Sequence, residues 1–169
     1  MCGLYDYELI FLKALNICTL SLYNHIDNLD DLLREVAHTG MRAMNQRMTQ
    51  VAIGKSGDAA IQAVSVEYLN YMIEHCGVYE TIQWATWHGT HETAEIFGEY
   101  TNLLKMLILS CGFIPEMVSE ILNLLTGFLH GYTTLQLRYA FSEPDKVRRE
   151  LCAAIDILLT GAHQKYSQT

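Results

Sequence analysis

Between residues 121 and 137 the chain carries no charged side chain, and its apolar residues do not keep to one face. Val118, Ile121, Leu125, Phe128, Tyr132 and Leu135 recur on one side of a helix, while Met117, Leu124 and Leu137 fall elsewhere. A helix apolar over that much of its girth has to be covered on more than one side. Asn123, Thr126, His130, Thr133, Thr134 and Gln136 interrupt the run, which fits interior burial better than a membrane span. In a chain of 169 residues the second cover is expected to be another subunit. The two-fold bundle would use helices over about 115–141 and 144–164, with Val118, Ile121, Leu125, Phe128, Tyr132, Leu151, Ile155 and Leu158 at the contact. Burial within a single chain is the plain alternative.

Helical spacing extends along the rest of the chain, and runs of β-branched residues in period two are missing, so the expected class is all-α. Short helices are predicted over about 7–15 and 19–26. Asn28, followed by an acid at Asp31, reads as the cap of a long helix to about residue 53. The segment "GKSGD" breaks it. A helix over about 58–76 follows, with Gly77 as its expected stop, then a short aromatic segment, "VYETIQWATWHGTHE". Another helix is predicted over about 92–110, closed by Gly112, and Pro115 suits the first turn of the next. Ser142 with Asp145 suggests the cap of the last helix. The expected division is a small head over 1–27 and a helical body over 28–169.

Charge and cysteine usage narrow the function. Eleven Lys and Arg against nineteen Asp and Glu leave the chain at −8, which argues against a broad nucleic-acid-coating surface. Five cysteines with no CxxC pair suit reduced thiols rather than a disulfide framework. No basic start followed by a small-residue cleavage site is present, so a cytoplasmic protein with no membrane role is expected. Nothing in the chain matches GxSxG, a P-loop or a glycine fingerprint after a strand, and no spacing pairs a nucleophile with a base. An enzyme is not expected.

The start of the chain has the pattern of a helix-turn-helix. In "LKALNICTLSLYNHI", Leu12, Leu15 and Ile17 can pack a scaffold helix, and Asn16 sits where the turn needs a residue tolerant of positive φ. Thr19 and Ser21 then offer hydroxyls early in a second helix, and Tyr23, Asn24 and His25 offer reach on its middle turns. The longer stretch "SLYNHIDNLDDLLREVA" resembles the end of the DNA-binding head in tetracycline-repressor-type (TetR-family) regulators. The remainder resembles their ligand-binding and dimerisation body, in the subgroup marked by Trp-His-Gly: Trp87-His88-Gly89 is present and His130-Gly131 falls in the penultimate long helix.

The resemblance implies that Thr19, Ser21, Tyr23, Asn24 and His25 face operator DNA, and that Leu22 and Ile26 pack the head on the long helix. It further implies a homodimer released from DNA by a small hydrophobic or aromatic effector. Two departures stand against a strong DNA reader. Only eleven residues precede Leu12, so the head is expected to be shortened. Lys13 and Arg34 face Asp6, Glu8, Asp27, Asp30, Asp31 and Glu35 over the first thirty-five residues, where phosphate binding needs positive charge. The alternative function is therefore a ligand-sensing or mixed-dimer module with little DNA affinity.

For the effector, Met44, Met48, Tyr68, Met72, Trp84, Trp87, His88, His91, Phe97 and Tyr100 form the expected lining. Aromatic and thioether side chains around a few polar groups suit an organic ligand. The same residues at helical spacing are also what an ordinary core uses. His88 and His91 with Glu92 and Glu95 invite a metal, but the HExxH arrangement is absent, and neither a metal nor a cofactor is expected. His130 beside Gly131 is expected at a close helix approach in the dimer contact.

Overall fold

The computed structural model describes residues 28–138 and 143–166, and every regular element in them is an α-helix. The helices expected over 7–15 and 19–26, the DNA-facing residues Thr19, Ser21, Tyr23, Asn24 and His25, and the expected cap at Ser142 lie outside the described residues. Six helices follow in order: α1 (Leu29–Ala52), α2 (Gly57–Glu74), α3 (Cys76–Trp87), α4 (His91–Ser110), α5 (Pro115–Leu137) and α6 (Pro144–Tyr166).

The ends of these helices follow from local chemistry. Asn28 caps α1 as expected: its side-chain oxygen accepts from the Asp31 backbone N–H at 2.9 Å, and Asp30 and Asp31 place negative charge at the positive end of the helix dipole. Past α1 the chain turns through Gly54 and Gly57, whose φ of 74° and 60° are costly for any residue with a Cβ. Gly112, at φ 89°, ends α4, and Pro115 opens α5 at a position that has no helical partner for its missing N–H.

One element differs from expectation. The aromatic segment is itself a helix, α3, and Gly77 lies in its first turn rather than closing α2. The break falls at His75, with φ −125° and ψ 54°, which serves as C-cap of α2 and N-cap of α3. Tyr79, Ile82 and Ala85 form the buried stripe of α3, a three-residue spacing short enough to be taken for a loop.

Within the bundle α1 lies on α2, α3 and α4, while α5 is covered by α2, α4 and α6. The largest fully buried side chains include Met41, Ile61, Leu69, Leu104, Leu125 and Leu151. Polar contacts fix how α1 sits. Buried His38 places Nε2 2.8 Å from Thr93 Oγ1 on α4, and Asn45 donates to the Ile96 carbonyl at 3.1 Å. Arg47 reaches across to Glu67 and Glu74 on α2. At Gly40 the backbone comes so close to α3 that an added Cβ would stand 2.2 Å from Val78 Cγ1.

Candidate functional site: an interior polar cluster and an outer apolar face

Side chains of α2 and α3 converge on His130 of α5. Its Nδ1 lies 3.4 Å from Tyr68 Oη of α2, 3.5 Å from Tyr79 Oη of α3 and 3.4 Å from Gln83 Nε2 of α3. The Tyr68 ring meets the imidazole edge-on, with centroids 6.0 Å apart at 80°. Tyr100 of α4 adds its ring at 6.0 Å from Tyr68, and Phe97 packs on Tyr100 at 5.6 Å. Beyond Tyr79, the Thr134 hydroxyl stands 2.8 Å from its phenol oxygen.

Burial sets the electrostatics of this cluster. It holds His130 below the ordinary imidazole range, so the ring is neutral and Nδ1 can accept. It also pushes the Tyr68 phenol well up, helped by nearby Tyr100 and Tyr79, and raises Tyr100. Both phenols therefore stay protonated. A neutral imidazole nitrogen offers one lone pair, yet three side chains with N–H or O–H groups stand around it at long distance. Tyr100 Oη is buried and has no hydrogen-bond partner among the described residues. Such a hydroxyl costs stability unless something satisfies it.

The expected lining residues divide sharply. Tyr68 and Tyr100 meet at this cluster, Met44, Met48 and Met72 are buried in the surrounding core, and Phe97 is corrected: it is exposed and packs on Tyr100 from the surface. Trp84 is half-buried; it stacks on His88 at 4.8 Å and lies under the Arg34 guanidinium of α1. Trp87, His88 and His91 are corrected: Trp87 is 85% exposed and both histidines are on the surface, so none lines an interior site. The phase of α3 explains this, because turning Ile82 and Ala85 inward leaves Trp84 and His88, four apart, stacked on the outside.

Gly89 gives the Trp-His-Gly motif a physical reason. A Cβ there would lie 2.7 Å from the Ala85 carbonyl oxygen and 3.0 Å from Thr93 Cβ. The motif marks the tight joint from α3 into α4, where Thr90 and Thr93 form a reciprocal capping box. Tyr79, Gln83 and Thr134 were not anticipated as site residues, and His130 was expected at a subunit contact instead. The signal that could have found them is a pair of polar residues four apart on each helix, Tyr79 and Gln83 on α3 and His130 and Thr134 on α5.

The outer face of α5 and α6 is a second candidate. Five of the expected contact residues, Val118, Ile121, Leu125, Leu151 and Ile155, are instead buried in the chain's own core. Phe128, Tyr132 and Leu158 are half-buried and line the surface. They border two grooves, of about 380 and 290 Å³, that share Leu124 and Phe128. Leu124, Leu135 and Ile157 stand exposed beside them. Gly127 and Gly131 of α5 and Gly161 of α6 line the same grooves, and a Cβ at any of them would meet nothing within 4 Å.

No family model matches the chain. It is 27% identical over 152 residues to the uncharacterized HTH-type transcriptional regulator YobS of Bacillus subtilis (strain 168), covering 88% of this chain and 78% of that protein. Among solved structures it is similar to a protein of unknown function from Rhodococcus sp. RHA1, with a TM-score of 0.69 at 18% identity over 81% of this chain and 76% of the other. Among the described residues no helix is long and apolar enough to cross a membrane. The bundle is thus a fold shared with the Rhodococcus protein, and the chain is similar along most of its length to a bacterial protein named as a helix-turn-helix regulator.

Proposed function

We propose that the chain is a transcriptional regulator of the tetracycline-repressor type, a binding protein rather than an enzyme. In this reading residues 1–27 contact operator DNA and the helical body pairs with a second copy. The observation that carries it is the similarity to the Bacillus helix-turn-helix regulator, which extends over 88% of the chain and so includes part of the segment patterned as a DNA reader. The interior cluster supports an effector-binding role. Neutral, aromatic and rich in hydrogen-bond donors, it suits a small hydrophobic molecule carrying one or more carbonyl or ether oxygens.

The outer apolar face supports the dimer. Glycine in a helix interior costs about 1 kcal/mol relative to alanine, and Gly127, Gly131 and Gly161 are not required by packing within the chain. Close approach of a second copy gives that cost a return. An effector that binds better when the α1 helices have swung apart would then lower DNA affinity by the difference in its binding energy between the two states.

The test is fluorescence polarisation with the DNA flanking the protein's own coding region, at low and then rising salt. Micromolar or tighter binding that weakens with salt is expected. Flat traces at low salt would sink the regulator reading and leave the dimerisation module, which the acidic residues around Asp27, Asp30 and Asp31 favour.

A further inference from the structure

We propose that Glu35, His38 and Glu92 form a binding site for a first-row divalent metal ion of the zinc type, clamping α1 to the first turn of α4. One ligand atom from each residue lies within 4.8 Å of the other two. Glu35 and His38 are three apart on α1 and so share a face, and Glu92 meets them from α4. The histidine is what separates this cluster from an ordinary acidic surface. His38 is 1% exposed, and its Nδ1 is buried without a hydrogen-bond partner among the described residues. Glu92 Oε2 stands 3.7 Å from that nitrogen, too far for a hydrogen bond. Two ligands of one tetrahedral zinc ion, each bound at about 2.0–2.2 Å, sit about 3.4 Å apart. The atoms are therefore spaced nearly as an ion between them would require.

The other ring nitrogen prepares the ligand. His38 Nε2 is 2.8 Å from Thr93 Oγ1, which also accepts from the Thr90 backbone N–H at 3.0 Å and has Thr90 Oγ1 at 3.4 Å to receive its own proton. That network lets His38 donate from Nε2, which leaves the lone pair on Nδ1, the nitrogen 3.7 Å from Glu92 Oε2. A metal-bound histidine commonly donates its second N–H to such an outer partner, which fixes its tautomer and orientation. Arg42 bonds Glu92 Oε1 and leaves Oε2 to face the imidazole. One imidazole with two carboxylates is a donor set that suits zinc, manganese or iron better than a soft ion. This site does not depend on the regulator reading, since it concerns only the body.

The experiment uses the full chain stripped with EDTA and returned to chelator-free buffer. Zinc is titrated calorimetrically and cobalt by visible absorption, with thermal melts alongside. One ion per chain at micromolar or tighter affinity, cobalt d–d bands and a rise in melting temperature with zinc are expected. Glu35→Gln and Glu92→Gln are expected to weaken zinc by roughly tenfold or more, and Thr93→Val by roughly tenfold through the lost outer hydrogen bond. His38→Gln is expected to abolish uptake; where that variant fails to fold, the exposed Glu35→Gln decides. No uptake by the wild-type chain would overturn the site. So would uptake that survives Glu35→Gln and Glu92→Gln, or that is lost instead in Glu95→Gln, which points to the exposed His91–Glu95 pair.

Discussion

Tyr100 has its hydroxyl buried with no partner among the described residues, and such a group costs about 1–3 kcal/mol. Tyr100→Phe is expected to raise stability by about 1 kcal/mol in urea denaturation and, if the cluster takes the proposed effector, to weaken its binding. A second residue-scale prediction concerns pH. His130 is neutral when buried but takes up a proton freely once the chain unfolds, near the ordinary value of 6.5. Its contribution to stability is complete above that pH and is lost as pH falls toward the lower folded-state value. Denaturation at about pH 7.5 and about pH 5.5 is expected to show a smaller acid loss in His130→Gln than in the wild type. Gly89 supplies the third: an alanine there meets backbone rather than a movable side chain, so Gly89→Ala is expected to lower stability by about 1–3 kcal/mol in the same assay.

At the scale of elements, the helix caps were the most legible features. Asn28, Gly112 and Pro115 stand where their chemistry puts them, because each acts on its own backbone and needs no distant partner. Asn28→Ala is accordingly expected to cost about 1 kcal/mol, read by thermal melting. Helix α3 was not legible as a helix. Its buried stripe is only Tyr79, Ile82 and Ala85, and Gly77 imitates a stop signal. The site suffered from the same cause. An aromatic residue written in the sequence has no direction until the helix phase is known, and a shift of one or two positions separates buried Ala85 from exposed Thr86 and Trp87. Long-range pairs such as His38 with Thr93, or Tyr79 with Thr134, carry no local pattern at all.

For the whole molecule, the expectation that α5 is covered on several sides held within the chain, since α2, α4 and α6 all pack on it. What remains outside is narrower than the sequence implied: a strip around Leu124, Phe128, Leu135 and Ile157. If this strip joins two copies, the double variant Leu124→Glu with Ile157→Glu is expected to run as a folded monomer in light scattering, where the wild type runs as a dimer. Gly127→Ala gives an opposite pair of signs. It is expected to stabilise the isolated helix by about 1 kcal/mol yet loosen association, which a wild-type monomer could not show.

The crowding of Tyr68, Tyr79 and Gln83 on one imidazole nitrogen also has a bearing on selectivity. That nitrogen has one lone pair for three possible donors, so a proton-free oxygen on a ligand would serve the hydrogens left over. If the cluster takes the effector proposed above, quinones, esters and lactones would meet that need directly, and alcohols and amines less so. A panel of compounds matched in size should therefore sort by how many oxygens lack a proton, and not by how greasy they are.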